Sequence, residues 1–506
     1  MKRIVIIGGG ITGLAAAHRI LERNRDSGKQ LELTLLEAGS RIGGIVQTRE
    51  RDGFLLESGP DSFISEKTTT LELTRRLELE SHLIETNENH RRSFIVRQGR
   101  LLPVPEGFYL IAPTLFWPFV RSEIFSWTGK ARMALDLLLP RRVLNGGTNP
   151  HADSSQNDSV DESLAQFVRR RLGREALERM AQPMVGGIYT ADPELLSLRA
   201  TMPRFLEMER EHRSLIRALR KQGRSPGKGA ELANETSGAR YSLFLSFDRG
   251  MQLLTDKLAE RISSFQSQAR DSNESPRVSI RVNTPVASLV LDLQSTGNGE
   301  PKWKIKTDRD ELLIADAVCL ALPAYTSARL LSNVDAQLAS DLNGIPYASS
   351  ATINLGYRRS DILHPLNGFG FVVPFIEKRS LIACTFNSVK FPGRAPRGHA
   401  LLRVFVGGAL QPEMFELSQD ELLSRVSADL RDLLGIDQTP FFAEISKWER
   451  SMPQYNVGHL AKIERIQKRV NSLPGCALAG NAYSGLGISD CIRSGEAAAD
   501  ELTDLL

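Results

Sequence analysis

The chain has 506 residues, 41% hydrophobic and 25% charged, as is ordinary for a soluble globular protein, and this length predicts two or three folding units. Its 64 basic and 60 acidic residues give a net charge of +4, which is too small and too scattered to indicate nucleic-acid binding. No apolar run of about 18 residues occurs, so no membrane-spanning helix is expected.

The first element is an apolar strand, residues 4–7, that breaks at Gly8, Gly10 and Gly13 before helix-forming residues begin at Leu14. In such a G-x-G-x-x-G turn the first glycine permits the tight turn and the second lets a pyrophosphate approach the backbone. The third lets helix and strand pack closely, with the helix N-terminus facing the anion. This pattern predicts a dinucleotide-binding site.

A second strand, residues 31–36, leads into Glu37, which lies 24 residues after Gly13. A carboxylate at this place accepts hydrogen bonds from the hydroxyls of an adenosine ribose. The cofactor contacts expected in these two turns are Gly8, Gly10, Ile11, Thr12, Gly13, Glu37 and Ala38.

The residues after Glu37 bear on the choice between NAD and FAD. In a simple NAD dehydrogenase the second strand runs into an ordinary helix, whereas here Arg41 is followed by Gly43 and Gly44, with Gly59-Pro60 further on. A cation beside two glycines indicates a loop that passes close to the dinucleotide, with Arg41 near phosphate. The alternative for this loop is a surface turn with a solvated arginine.

The C-terminal region contains a second glycine-rich loop. A short buried strand, residues 476–480, precedes the loop at 481–490, and a helix is expected from about Cys491 to Leu506. A loop of this kind that opens a helix suits a partly anionic group, and in flavoproteins it holds the N1–C2=O edge of the isoalloxazine. The two ends of the chain are therefore expected to build one FAD site, with the later contacts at Gly480, Gly485, Gly487 and Ile488.

These observations predict an α/β fold with a discontinuous Rossmann-type FAD-binding domain. A half-buried strand at 278–286 and a fully buried one at 315–323 return the chain to this domain, which is assigned residues 1–63, 241–330 and 460–506. An α+β substrate domain is assigned 325–459 with part of 64–90, and a mainly helical subdomain 91–220. Three polar stretches, 145–163, 222–240 and 266–277, are interpreted as surface insertions.

The segment 105–127 is rich in aromatic and large aliphatic residues, and Pro113 and Pro118 forbid one long helix there. Cations such as Arg121 and Lys130 follow it. This composition fits an element that rests in a membrane interface, or a buried helical subdomain that caps a substrate cavity.

The four cysteines show no C-x-x-C or zinc spacing, so no metal site is expected. Three of them lie in apolar runs, which predicts buried free thiols in a reducing compartment. Because a strand begins the chain, no signal peptide is expected. The expected location is the cytoplasm, with peripheral contact to the inner face of the cytoplasmic membrane.

The chain resembles the oxygen-dependent, FAD-containing protoporphyrinogen oxidase family, in the wider group of monoamine oxidases and phytoene desaturases. The glycine turn, Glu37 and the Arg-x-Gly-Gly loop resemble the whole group, whereas three further blocks are narrower. These blocks are residues 182–197 (QPMVGGIYTADP with LS), 391–396 (FPGRAP) and 448–459 (Trp448 followed by PQYNVGH). The C-terminal GLGISDCIRSG is similar to the flavin-edge signature of the family.

This resemblance implies removal of six hydrogens from a porphyrinogen, by hydride transfer to non-covalently bound FAD and reoxidation by O2 to give H2O2. It implies a propionate contact at Arg92, with neighbouring Arg91 as the alternative partner. It also implies ring contacts at Phe391 and Val372, with Phe369 and Phe371 as the alternatives to Val372. It places Val286 at the adenine and adds Trp448 to the cofactor contacts. No catalytic side chain is assigned, and His459 is either a catalytic group or a structural donor.

The hydrophobic segment 108–127 favours protoporphyrinogen IX as the substrate. Coproporphyrinogen III is the alternative, with Arg91, Arg92, Arg97 and Arg100 as its basic cluster. Two other functions remain open, a different FAD-dependent amine or polyene oxidase and a non-catalytic FAD-binding scaffold. The expected partners are the porphyrinogen, O2, a ferrochelatase and a second copy of the chain in a homodimer.

Overall fold

The computed structural model describes residues 1–27, 30–109, 111–141, 161–222, 244–268, 277–293 and 301–504. Residues 145–160, 223–240 and 269–276 of the three polar stretches lie outside the described residues. The described ends of these stretches belong to regular elements, because Ser163 caps a helix and Arg277 begins a strand. Asp161 accepts hydrogen bonds from the Ser197 hydroxyl at 2.8 and 2.9 Å. The insertion, which was predicted to end at residue 163, therefore ends before Asp161.

A five-stranded parallel sheet is assembled from three distant parts of the chain. Its strands, in spatial order, are Arg277–Arg281, Leu31–Leu36, Lys2–Ile7, Ala317–Leu320 and Cys476–Leu478. The first helix, Ile11–Ser27, and the last, Ile488–Asp504, pack side by side in one hydrophobic core with this sheet. This arrangement confirms the predicted discontinuous Rossmann-type domain, although its last helix begins three residues earlier than expected.

The second core of this domain contains a three-stranded antiparallel sheet of Val286–Asp292, Lys302–Thr307 and Leu312–Ala315. The prediction of one strand over 278–286 is wrong. The strand ends at Arg281 because Asn283 adopts a φ of +50° and Pro285 cannot donate to a ladder, and Val286 then starts a strand in another sheet. Three helices complete this core: Ala324–Leu331, Ala336–Asn343 and His459–Val470.

A seven-stranded mixed sheet forms the centre of the second half of the molecule. Its strands, in spatial order, are Phe442–Pro453, Tyr347–Arg358, His399–Gly407, Ala383–Phe386, Gly370–Val372, Phe94–Arg97 and Arg100–Pro103. The helix Gln419–Leu434 packs in a core with one side of this sheet. The sequence assigned the last two strands to the helical subdomain, whereas the structure places them in the sheet of the substrate domain.

Helices cover the opposite side of this sheet, where Ile95 and Val372 of the sheet pack against the helical core. They are Phe116–Arg121, Trp127–Ala134, Leu164–Arg171, Arg174–Ala176, Gln182–Tyr189, Leu198–Thr201, Pro203–His212 and Leu215–Gln222. The remaining α-helices are Thr69–Arg76, Gln252–Gln268, Asn387–Lys390 and Glu413–Glu416. The remaining strands are Thr48–Arg51, Phe54–Glu57, Phe63–Ile64, Leu83–Glu85, Phe108–Tyr109, Ala112–Pro113 and Phe244–Phe247.

The aromatic segment 105–127 divides its side chains between core and surface. Phe108 stacks on Phe125 with ring centroids 5.7 Å apart, and both are buried in the core of the helical unit. Phe116 and Trp117, on the helix that follows, are 55% and 65% exposed. None of the described helices has the length and apolar content needed to cross a bilayer.

A buried ion pair ties the helical unit together. The side chains of Asp136 and Arg171 are both fully buried, and Arg171 Nε donates to Asp136 Oδ1 at 2.7 Å. The Ser214 hydroxyl and the backbone N–H of Ile216 donate to Asp136 Oδ2 at 2.6 and 3.1 Å. The carboxylate therefore joins the segment at Asp136 to the helices Leu164–Arg171 and Leu215–Gln222.

We expect Asp136→Ala to lower the free energy of unfolding by about 3–5 kcal/mol, because the buried Arg171 guanidinium would lose its hydrogen-bonded carboxylate and be left with the more distant carboxylate of Glu209, 3.6 Å away. Urea unfolding measures this. Glu80→Ala is the control, since Glu80 pairs with Arg75 on the surface and its loss should cost less than about 1 kcal/mol. Equal effects of the two variants would contradict a structural role for the buried pair.

Candidate functional site

Of the three glycines at the motif positions of the first turn, the fold requires two and leaves one free of close contacts. A Cβ on Gly8 would lie 2.3 Å from the Ala321 oxygen, and a Cβ on Gly13 would lie 1.9 Å from the Gly8 oxygen. A Cβ on Gly10 would meet only Gly44 Cα, at 3.9 Å. Open space therefore lies over Gly10 at the N-terminus of the first helix, where the sequence predicts the pyrophosphate.

Glu37 is held in place by the turns on either side of it. Its carboxylate accepts hydrogen bonds from the backbone N–H of Gly9 and of Gly39, each at 2.7 Å. The Thr284 N–H donates to the Glu37 carbonyl, so the chain that leads into Val286 crosses the end of the second strand. These bonds fix the carboxylate beside the glycine turn, where it can accept a ribose hydroxyl, and the contact of Val286 with an adenine stays a prediction.

Arg41 organises the loop that follows. Its guanidinium donates to the carbonyls of Ile42 at 2.8 Å and Val46 at 3.3 Å, and also to the Gly44 carbonyl. Gly43 donates its N–H to the Gly9 carbonyl at 2.8 Å, which joins this loop to the glycine turn. Arg41 is thus bonded to its own loop, which differs from a freely solvated arginine, and its contact with phosphate stays a prediction.

The segment from Glu57 to Pro60 lies against the seven-stranded sheet. Thr352 Oγ1 and Trp448 Nε1 both donate to the Ser58 carbonyl, at 2.8 and 3.0 Å. Arg403 donates to the Gly59 carbonyl. Trp448 therefore positions the Gly59-Pro60 segment, and its direct contact with a flavin stays a prediction.

The C-terminal glycine-rich loop is braced by Asp490 and Tyr455. Asp490 Oδ2 accepts from Lys67 Nζ at 2.5 Å and from the Gly487 N–H at 3.3 Å. The Tyr455 hydroxyl accepts from the Gly485 N–H at 2.8 Å and donates to the Asn481 carbonyl at 2.6 Å. The Gly480 N–H donates to the Ser494 hydroxyl of the last helix at 3.0 Å. This bracing fixes the loop at the N-terminus of the helix that begins at Ile488.

The two ends of the chain meet at these helices. A Cβ on Gly495 would lie 2.2 Å from the Thr12 backbone oxygen, so the last helix touches the first at its opening turn. Ile11 and Ile488, the first residues of the two helices, are both buried in the same core. The predicted phosphate turn and the predicted flavin loop are therefore parts of one site.

An apolar wall lies next to the flavin loop. We define it by Met184, Tyr189, Val372 and Leu486, which are partly buried and pack against the same helical core. Gly187 lies opposite Val372, because a Cβ there would be 3.8 Å from Val372 Cγ1. The position of Val372 agrees with its predicted place beside the substrate, and contact with substrate stays a prediction.

Two other predicted substrate residues lie differently. Phe391 is fully buried, with Lys390 Nζ 4.9 Å and Arg394 Cζ 5.6 Å from its ring centroid, so it presents no surface to a cavity in this structure. Arg92 is exposed, and its carbonyl accepts from the Phe369 N–H at 2.8 Å. Neighbouring Arg91, the alternative partner for a propionate, already forms an ion pair with Glu88 at 2.8 Å. Substrate contacts at Arg92 and Phe391 stay predictions.

Sequence reasoning missed a buried charge cluster beside Phe391. Lys390 Nζ lies 3.2 and 3.1 Å from the two carboxylate oxygens of Asp61, and Arg403 lies on the other side of this carboxylate. Burial alone would raise the pKa of Asp61, but Lys390 and Arg403 outweigh it and hold this pKa well below its usual range. The cluster fixes the chain just after Gly59-Pro60. Its members are 329 residues apart, so no local pattern could have revealed it.

His459 and the cysteines are enclosed by the protein. His459 is 4% exposed and stacks on Tyr455, with ring centroids 4.0 Å apart, and burial together with Lys462 lowers its pKa to about 4. A neutral, enclosed imidazole supports the structural interpretation. The three cysteines in apolar runs are free and buried, as predicted, and Cys491 is buried as well, which raises its pKa to about 12.

We expect Gly10→Val to fold but to lose the dinucleotide, because its side chain would fill only the space that a pyrophosphate needs. Flavin absorbance per chain should fall to below about one-tenth of the wild-type value, with the melting temperature of the cofactor-free protein unchanged. Gly13→Val is the contrast, since it should not fold. A Gly10→Val protein that purifies yellow would refute this assignment of the turn.

We expect stability to fall as the pH drops from about 6.5 to about 4. His459 and His18 both have pKa values lowered to about 4, so in this range the unfolded chain binds protons that the folded chain does not. Each histidine should lower the free energy of unfolding by about 2 kcal/mol at pH 5 relative to pH 7. Urea unfolding of His459→Gln should show a smaller loss, whereas His90→Gln, at a less buried site, should behave as wild type.

Comparison with known proteins identifies the family. The model for flavin-containing amine oxidoreductases matches residues 11–503. The chain is 34% identical to a coproporphyrinogen III oxidase of Bacillus subtilis (strain 168), over 100% of this chain and 98% of the relative. It is 30% identical to a protoporphyrinogen oxidase of Bos taurus, over 98% of each chain.

Solved structures agree with the fold. A crystal structure of a protein from Exiguobacterium sp. 255-15 is 31% identical, with a TM-score of 0.80 over 99% of this chain and 98% of that one. The open space over Gly10, the fixed Glu37 carboxylate and the braced loop at Gly485 fit the pyrophosphate, ribose and isoalloxazine of FAD in turn. The chain belongs to the flavin-containing amine oxidoreductase family and is an FAD-dependent oxidoreductase.

Proposed function

We propose that this protein oxidises coproporphyrinogen III to coproporphyrin III in haem biosynthesis. The observation that carries the proposal is the apolar wall at the flavin loop, whose side chains offer no carboxylate, imidazole, thiol or amine. Such a wall suits a reaction driven by aromatisation of an electron-rich ring, which needs orientation more than acid or base groups. Bound FAD would accept the hydride, and O2 would take up the electrons to give H2O2.

The residues of the chain supply orientation and a rigid frame. Lys67 and Asp490 hold the loop at Gly487, and Tyr455 holds it at Gly485, so that the flavin edge would meet a fixed backbone. Gln182 Oε1 accepts the Phe375 N–H at 2.8 Å, which ties the helix carrying Met184 and Tyr189 to the segment after Val372. The wall is thus fixed on both sides, as substrate positioning requires.

Two observations bear on the choice of substrate, namely the names of the relatives and the exposed apolar residues of the helical unit. A whole-length relative at 34% identity is named a coproporphyrinogen III oxidase. The sequence favoured protoporphyrinogen IX, and the exposed apolar residues of the helical unit still support that second candidate. They are Leu115, Phe116, Trp117, Trp127, Leu135 and Leu138, and they would suit contact with a membrane that supplies an apolar substrate.

The test is porphyrin fluorescence over time with the purified yellow protein in air, given each porphyrinogen separately. We expect a rise with coproporphyrinogen III, accompanied by oxygen uptake that catalase reduces, at a kcat/KM at least about tenfold above that for protoporphyrinogen IX. A preference for protoporphyrinogen IX would support the same oxidation chemistry but assign protoporphyrinogen IX as the substrate. No rise above the spontaneous rate with either compound would refute the proposed function.

A further inference from the structure

The hairpin of the strands Phe94–Arg97 and Arg100–Pro103 carries two arginines directly opposite each other. Arg97 pairs with Arg100 across a two-residue turn in which Gln98 and Gly99 have φ of +50° and +71°. Like charges at directly opposed positions destabilise a hairpin. The pair therefore indicates an anion that compensates it.

The register of the sheet places this pair on the same side as the apolar wall. Val372 pairs with Ile95, and Ile95 pairs with Leu102. Paired residues point to one side of a sheet, as do residues two apart in a strand, so the side chains of Val372, Ile95 and Arg97 share a side. Ile95 lies one strand away from Val372, and Arg97 lies two residues further along that strand. Together these spacings put Arg97 Cα about 8 Å from Val372 Cα.

A basic groove opens at this place. We define it by Arg97, Arg100, Leu102, Arg121, Trp127 and Lys130, which line a cavity of about 580 Å³. Among the residues that line it, four are cations and only Glu123 is an acid. Within the described parts of the chain, no hydrogen bond or ion pair joins a carboxylate to Arg97, Arg100 or Arg121.

The floor of the groove is held in a fixed geometry. Lys130 Nζ donates to the Val120 carbonyl at 2.6 Å and lies 4.4 Å from the centroid of the Trp127 ring. Burial lowers the pKa of Lys130, nearby Arg97 lowers it further, and Glu175 acts in the opposite direction. The carboxylate of Glu175 is already engaged, because it accepts from the Ser126 N–H at 2.8 Å and hydroxyl at 2.6 Å.

We propose that the basic groove binds propionate carboxylates of a tetracarboxylate porphyrinogen whose ring rests on the apolar wall. This proposal rests on the proposed function and names what recognises the substrate. Coproporphyrinogen III carries four carboxylates, whereas protoporphyrinogen IX has vinyl groups in place of two of them. Guanidinium groups bind carboxylates in a bidentate geometry, so Arg97, Arg100 and Arg121 would discriminate between the two.

The experiment measures binding without turnover. The FAD-loaded full-length protein is titrated with coproporphyrin III, which has four carboxylates, and with mesoporphyrin IX, which has two, by quenching of porphyrin fluorescence. The variant is R97Q/R100Q/R121Q. The control is R249Q/R309Q/R425Q, which removes the same charge at exposed positions outside the groove.

We expect the groove variant to raise the Kd for coproporphyrin III by roughly tenfold or more and the Kd for mesoporphyrin IX much less, while the control changes neither. Arg121→Gln alone, at an exposed position on another element, should give part of the effect if the triple variant does not fold. R97K/R100K/R121K should retain part of the affinity, since it keeps the charge and loses the fork.

Equal weakening of both porphyrins, or no weakening of either, would overturn the proposal. So would a variant that binds porphyrins normally but no longer binds vesicles of anionic phospholipid, because the groove would then recognise headgroups. The proposed function is tested apart from this. If the wild-type protein binds coproporphyrin III through the groove but does not oxidise coproporphyrinogen III, the proposed function is refuted and the groove proposal stands. If the groove variant of an active enzyme has unchanged Kd values, the groove proposal is refuted and the proposed function stands.

Discussion

The close contact between the first and last helices is the constraint on which the rest of the site depends. Gly495 approaches the backbone of Thr12 so closely that a methyl group would not fit between them. Because of this contact, the loop that precedes the last helix opens beside the turn that precedes the first. Two anion-favouring helix N-termini are thereby brought to one elongated ligand, which is the arrangement that a dinucleotide with a flavin at one end requires.

The FAD-binding half was predictable because its signals are local. A glycine turn between a strand and a helix, and a carboxylate after the second strand, each lie within a few residues of the element that they define, and the predicted strand Leu31–Leu36 matches the structure at both ends. Burial of Cys319, Cys384 and Cys476 followed from their apolar sequence surroundings in the same way.

The substrate half was less predictable because its contacts join distant segments. Phe94–Arg97 was assigned to a helical unit, yet it pairs with Gly370–Val372 in a sheet. The bond from Gly485 to Tyr455, and the pairing of Asp61 with Lys390, link segments whose sequences carry no sign of each other. The strand expected over 278–286 failed for another reason, since a left-handed residue at Asn283 cannot be read from an alternating pattern.

The order in which the parallel sheet is assembled has a consequence for synthesis of the protein. Its two earliest strands, Lys2–Ile7 and Leu31–Leu36, leave the ribosome long before Cys476–Leu478, which completes the edge of the sheet. At about 5–20 residues per second, this interval lasts roughly 20 to 90 seconds. In about the last third of this interval Ala317–Leu320 has been made but its apolar edge has no partner on one side, so the nascent chain passes through an aggregation-prone stage that ends when Cys476–Leu478 is added.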